Sequence, residues 1–271
     1  MLSKNRQKYL RSLSLKKNRD AQGCFLAEGP KVVGELMAAF PCRLLAATEE
    51  YLARHPALRA EETLTLSPKE LTQASLLQAP RDVIAVFRRQ RRAESPGQRS
   101  PEALAALPAR GLCLALDRVQ DPGNLGTIIR LADWFGISHL FCSRDCADAF
   151  QPKTVQATMG SLARVAIHEV DLPAFLRTLP PEVPVYGTFL DGTDIYSAPL
   201  SPHGVLVMGN EGSGISPEAG ACISRRLLIP HYPPGRTGAE SLNVAVATAV
   251  ACAEFRRRIR PHSLPETPSH A

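Results

Sequence analysis

Polar side chains gather where three apolar runs end, in LDRVQDPGNLGTIIR (116–130), VMGNEGSGIS (207–216) and IPHYPPGRTGAESLN (229–243). The first stretch holds Asp117 at a strand end, Asn124 in a glycine-bracketed turn and Arg130 on the following helix. The second sets Asn210 and Glu211 among Gly209, Gly212 and Gly214. The third leads through a Gly/Pro loop into Ser241, Leu242 and Asn243, which open an apolar helix. Ser and Asn at a helix start satisfy the free N–H groups of its first turn. They are equally placed to face a ligand, and each stretch taken singly reads as an ordinary turn.

Familiar fingerprints are missing. GNEGSG orders its glycines GxxGxG rather than GxGxxG, and there is no Walker loop, no HExxH and no GxSxG elbow. His139, His168 and His231 have no partner at metal spacing and read as structural. Seven scattered cysteines without a CxxC pair argue against a disulfide framework and a zinc site. No metal is expected.

The elements that must position these residues follow from the pattern. LCLALD, ISHLFCS, VPVYGTFL, HGVLVMGNE and RRLLIP are short apolar runs, as strands buried on both faces of a parallel sheet require. NLGTIIRLADWFG and SLNVAVATAVACAEFRRR read as helices. In such sheets the ligand site lies at the carboxyl ends of the strands. The division predicted is a small α/β domain over 1–90, a Pro/Ser/Arg-rich linker over 91–110, a second α/β domain over 111–260, and a disordered tail over 261–271.

The chain has 271 residues, is 44% hydrophobic and carries net charge +6, the composition of a globular protein that permits a nucleic-acid partner. No apolar run is long enough to cross a bilayer, so a soluble, cytoplasmic protein is expected. The first 19 residues hold Lys4, Arg6, Lys8, Arg11, Lys16, Lys17 and Arg19 and no acid, which makes them candidate RNA contacts. Further basic clusters, FRRQRR (87–92) and FRRRIR (255–260), read equally well as solvated surface.

Together and in this order, the three stretches resemble the motifs of the SpoU/TrmH family of RNA 2′-O-ribose methyltransferases, within the SPOUT class. VQATMGSLARV (155–165) is similar to a further family stretch, and the first 89 residues resemble the substrate-binding domain that many members carry. The resemblance implies a mostly parallel α/β sheet with a deep trefoil knot, a small N-terminal RNA-binding domain, a homodimer and S-adenosylmethionine as cofactor. By match to the motifs, it implies cofactor contacts at Gly209, Ile229, Leu242 and Thr188. Glycine at 209 would let a purine approach the backbone closely. Arg130 matches the residue implicated in activating the ribose hydroxyl, although a guanidinium is a poor base and equally suits a phosphate or an oxyanion. Asn124, Glu211, Ser241 and Asn243 match the other polar positions. The resemblance implies a structured RNA substrate, ribosomal in preference to transfer RNA. A transfer-RNA enzyme and a non-catalytic RNA-binding protein are the alternatives. HYPPGRTGAE is longer than usual for the family, and its Arg236 is a candidate phosphate contact.

Overall fold

A computed structural model of the protein describes residues 2–89, 100–233 and 241–258. Arg236, the expected tail at 261–271, residue 90 of the expected first domain and residues 91–99 of the expected linker lie outside the described residues.

The N-terminal part runs α1 (Lys4–Ser12), α2 (Lys16–Gln22), β1 (Cys24–Glu28), α3 (Pro30–Ala39), β2 (Cys42–Ala47), α4 (Glu49–Arg54), β3 (Glu62–Thr65), α5 (Pro68–Ala74) and β4 (Val83–Arg88). Its sheet has the order β1-β4-β2-β3, with β4 antiparallel to both neighbours and β2 parallel to β3. Ser67 and Glu70 close a capping box that starts α5.

Two short helices follow, α6 (Pro101–Ala105) and α7 (Leu107–Arg110). Linker-like composition hides them: Ser100 accepts from the Ala103 N–H and Pro101 occupies the first turn, where its missing donor costs nothing. The second part continues with β5 (Leu112–Leu116), α8 (Pro122–Trp134), β6 (His139–Ser143), α9 (Pro152–Ala157), β7 (Ala166–Val170), α10 (Leu172–Arg177), β8 (Val185–Asp194), β9 (Gly204–Met208), α11 (Pro217–Gly220), β10 (Arg225–Leu228) and α12 (Val244–Arg257). Its six strands are all parallel, in the order β10-β8-β9-β5-β6-β7. Central β5 and β9 are buried at every position, as their unbroken apolar runs require. Edge strand β7 escapes sequence reading because AIHEV is only half-buried and mixes polar residues into the run.

The two sheets share one hydrophobic core, which runs from Phe25 and Phe87 through Leu114 and Ile128 to Phe255. The loop before α9 joins them. Phe150 packs against Phe25 and Phe40 with ring centroids 5.0 and 6.4 Å away. Beside it Arg19 donates to Asp148 at 2.7 and 3.1 Å and to the carbonyls of Leu13 and Ser14. Arg164 makes a second tie, pairing with Glu35 of α3 and with Asp133 of α8.

The basic end of α12 is largely structural. Arg256 donates to the carbonyls of Phe135 and Gly136 just beyond α8, and Arg258 to those of Ala198, Ile195 and Tyr196. Arg257 and Arg258 also enclose the buried Glu254. These guanidiniums, Arg257 foremost, hold the Glu254 carboxyl down at about 2 from its ordinary 4.5. A depressed carboxylate stabilises the fold fully above its unfolded pKa and loses that contribution as pH falls through the folded one. The stability gap between the native protein and Glu254→Gln should therefore narrow as pH drops from 4.5 toward about 2. Urea midpoints from about pH 6 down to about pH 2 measure it, and a pH-independent gap would refute the assignment. Among the described residues no helix is long and apolar enough to cross a membrane.

Candidate active site

All three polar stretches meet at the carboxyl ends of β5 and β9 and the start of α12. Asp121 caps α8 by accepting from the Asn124 N–H at 2.8 Å, and Pro122 fills the first turn. This fixes Asn124 at the head of the helix. Asn243 caps α12, its Oδ1 accepting from the Ala245 and Val246 N–H groups at 3.0 and 3.3 Å. Its Nδ2 remains free of the helix and donates to Asn124 Oδ1 at 3.1 Å and Glu211 Oε1 at 2.9 Å. Asn124 Nδ2 donates to the same Glu211 oxygen. Three residues spread over 120 positions of chain thus form one closed triangle.

The Glu211 loop is built by its neighbours. Asn210 and Gly214 exchange backbone hydrogen bonds at 3.0 and 2.9 Å, folding the segment back on itself. Asn210 Oδ1 accepts from Gly212 and Ser213 N–H, while its Nδ2 donates to the Arg118 carbonyl at 2.9 Å. Arg118 adopts the left-handed region (φ 59°), uncommon for a side chain of its size. The buried Asp117 carboxylate accepts from Ser216 N–H at 2.6 Å and pins the loop's far end. Sequence reading saw Asp117 only as a strand end, and it named Asn210 in the second stretch without giving it a role. An Asn ahead of glycines was the available signal, since its side chain readily bonds the backbone two residues on.

A cavity of about 1070 Å³ opens beside the triangle. Gly209, Ile229, Leu242, Thr188, Glu211 and Ser241, all expected from the sequence, line it. Ile215, Leu228, Val244 and Ala247 complete its apolar walls. The requirement for glycine at 209 has a different origin from the one expected. A Cβ there would stand 2.3 Å from the carbonyl carbon of Gly214 and 2.4 Å from Ile215 N, so the returning backbone of its own loop already excludes a side chain. Ser241 lines the cavity while Asn243 alone caps α12, so ESLN divides the two tasks between its residues.

Arg130 stands apart. It is exposed on α8, does not line this cavity, and makes no hydrogen bond or ion pair among the described residues, so neither Ser241 nor Asn243 orients it within one chain. At 1.5 Å rise per residue it lies about 9 Å along the helix from Asn124.

Of the candidate RNA contacts, Lys4, Lys8 and Lys17 are exposed. Arg6 pairs with Glu62, Lys16 with Asp20, and Arg11 donates to the Gln73 and Ser75 carbonyls. Arg19 differs from the rest. It is 2% exposed and committed to Asp148 and two carbonyls, which leaves no guanidinium face for a phosphate. The three histidines also need revision in part, because His139 Nδ1 and His168 Nε2 lie 3.1 Å apart and their rings stack. All seven cysteines are free thiols, and no group of metal-binding side chains occurs among the described residues.

Comparison with known proteins bears on this site. Residues 111–253 match the SpoU rRNA Methylase family, and residues 4–85 match the MRM3-like substrate binding domain. The 23S rRNA (guanosine(2553)-2′-O)-methyltransferase RlmP of Bacillus subtilis is 39% identical over 145 residues, 53% of this chain and 57% of that protein. The chain thus spans little more than half the length of this curated relative. A structure described as a putative RNA methyltransferase of the TrmH family from Porphyromonas gingivalis is 43% identical, with a TM-score of 0.82 over 95% of this chain and 99% of that one. An AdoMet-bound rRNA methyltransferase from Sinorhizobium meliloti is 31% identical, with a TM-score of 0.80 over 96% and 97%. With its family match falling on the parallel sheet and all three converging stretches, the chain belongs to the SpoU rRNA methylase family.

Proposed function

We propose that the protein transfers a methyl group from S-adenosylmethionine to a ribose 2′-hydroxyl of ribosomal RNA, working in the cytoplasm as a homodimer with a knotted SPOUT domain. The observation that carries this reading is the Asn124–Glu211–Asn243 triangle at the rim of the cavity. Its volume of about 1070 Å³ lies just above the range of roughly 300–1,000 Å³ common for small-molecule sites, room for the cofactor and an entering ribose. Apolar walls from Ile215, Leu228 and Val244 suit an adenine ring, and the backbone-rich Gly209–Gly214 loop supplies polar groups without long side chains. The residues present therefore fit the cofactor.

Bound there, S-adenosylmethionine supplies a methyl group already activated as a sulfonium, so the protein has to position the hydroxyl and stabilise the charge that develops on it. Gly209, Ile229, Leu242 and Thr188 hold the cofactor. The triangle locks the Glu211 loop onto the starts of α8 and α12, which keeps that wall rigid. Ser241 faces the same space and meets the ribose. Arg130 remains a cation throughout, so its part is to stabilise the oxyanion or hold the adjacent phosphate rather than accept a proton.

Two exposed faces support the dimer. On α8, Arg130 and the 83%-exposed Trp134 share a side with Thr127 by helical spacing, and on α12 Val246 and Ala253 are open to solvent. A second copy covering them would bring its Arg130 toward the cavity. Lys4, Lys8 and Lys17, together with Arg236 in the lengthened loop, supply the phosphate contacts; the match to a substrate-binding domain and the ribosomal-RNA relatives support that choice of RNA.

The test is transfer of labelled methyl into total unmodified RNA, followed by alkaline hydrolysis. Label in ribosomal RNA at an alkali-resistant linkage is expected. Label in transfer RNA would overturn the substrate, and the absence of both label and cofactor binding would leave a non-catalytic RNA-binding protein. Gly209→Ala should weaken S-adenosylmethionine binding by calorimetry at least about tenfold, because the Gly214–Ile215 backbone must move to admit the methyl group. An unchanged Kd would show that the loop's shape does not govern cofactor binding.

A further inference from the structure

A second cavity, of about 500 Å³, lies between the N-terminal part and the parallel-sheet domain. Leu26, Leu76, Leu77 and Ala157 give it apolar walls, and Gln156 stands at its side. Glu28 also lines it, although only 4% exposed. Its two oxygens each accept one hydrogen bond, from Ser75 Oγ and from Leu76 N–H. A carboxylate oxygen accepts two, so acceptor capacity remains on both.

The position of this cavity is more informative than its shape. On one rim, Arg11 of the basic helix α1 donates to the Ser75 carbonyl at 3.0 Å, next to Leu76. On the other, Lys153 reaches Asp121 at 3.4 Å, and Asp121 caps the helix that carries Asn124. The cavity thus lies between the contacts of the basic helix on one rim and those leading to the triangle at the active site on the other.

Resting on the reading of the protein as an RNA methyltransferase, we propose that the interdomain cavity receives an unstacked base of the substrate RNA, near the target nucleotide and bearing an exocyclic amino group. RNA-binding proteins read sequence mainly from splayed-out bases, gripped by flat contacts on their faces and by hydrogen bonds at their edges. Leu76, Leu77 and Ala157 offer the faces. Both Glu28 oxygens keep spare acceptor capacity, which suits the two N–H donors of an exocyclic amino group on cytosine, adenine or guanine better than the single ring N3–H of uracil. Gln156 pairs with the remaining edge. Lys153 and Arg11 accompany the flanking phosphates.

Ultraviolet cross-linking of the full-length protein to ribosomal RNA, followed by mass spectrometry of the peptides, tests this. Nucleotide adducts on Leu76–Leu77 or on Pro152–Ala157 are expected, with the adducted nucleotide other than uridine. Adducts confined to α1 or to the larger cavity would overturn the base pocket and leave the RNA reading standing. No adduct anywhere would remove both. Gln156→Ala supplies a second measurement, since it lies outside the cofactor cavity and on a half-buried rim. It should lower affinity for ribosomal RNA about tenfold while the salt dependence stays unchanged, because a base contact and not a phosphate contact is lost. S-adenosylmethionine binding, unchanged in the same variant, reports that the fold is intact. Equal RNA affinity in Gln156→Ala and the native protein would overturn the proposal.

Discussion

Replacing Arg130 by alanine should lower kcat for methyl transfer by about a hundredfold or more, the usual cost of losing a charge-stabilising group at a reacting oxygen. The Kd for S-adenosylmethionine should not change, since Arg130 does not line the cavity. Lysine at this position should recover little, because a point charge does not reproduce a planar two-pronged donor. Mixed dimers sharpen the expectation. Arg130→Ala alone lacks the guanidinium, and Gly209→Ala alone is silent when S-adenosylmethionine is held well below the variant's weakened Kd. If each site combines the cavity of one chain with Arg130 of the other, mixing the two inactive proteins restores one intact site per mixed dimer. Activity after mixing would support the shared site. A mixture that stays inactive, although mixed dimers form, would mean that Arg130 serves its own chain.

Arg19→Ala should carry the largest stability cost. Arg19 is 2% exposed and pairs with Asp148, whose side chain is 16% exposed, so the truncation leaves that carboxylate with the Phe150 N–H and a longer pairing to Arg89 at 3.8 Å, and leaves two carbonyls without their donor. Breaking a buried pair from one side typically costs about 3–5 kcal/mol. For a chain of this size that amounts to a fall in Tm of roughly 6–15 °C. Asp148→Ala added to Arg19→Ala should recover part of the loss, because the underpaired charge is removed with it. Calorimetry of the three variants decides. A fall below about 2 °C in the single variant would place the join mainly in the Phe25–Phe150 packing. Because the pair ties the two parts of the chain together, the variant should also raise KM for ribosomal RNA more than it lowers kcat.

Sequence reading went furthest where local chemistry leaves few alternatives. Leu112–Leu116 and Gly204–Met208 are unbroken apolar runs, and only strands covered on both faces use such runs at that length. Asn243 announces a helix start through a side chain that satisfies its own first turn, whereas α8 begins two residues before the expected NLGTIIR segment, at the Asp121 cap, and so takes Asn124 into the helix rather than a turn. Strand β7 and helices α6 and α7 were not legible, since polar residues interrupt the β7 run and the Ser100–Pro101 start of α6 is lost in a Pro/Ser/Arg-rich composition.

The candidate site divides in the same way. Asn124, Glu211 and Asn243 were visible as polar residues placed where strands end and helices begin. That they share one oxygen, Glu211 Oε1, depends on the sheet order that brings β5 beside β9 and packs α12 on α8. Arg19 makes the contrast plainest. Within its own stretch it is one basic residue among seven, with nothing local to set it apart from Arg6, Arg11 or the nearby Lys17 as a surface cation. Only the arrival of Asp148, 129 positions away, turns Arg19 into a buried join between two sheets and leaves Lys17 in water. Residue type and spacing determined which groups were available for chemistry, because hydrogen-bonding capacity and helix capping are local properties. The tertiary structure decided which of them meet, because burial and pairing depend on segments that the chain brings together from afar.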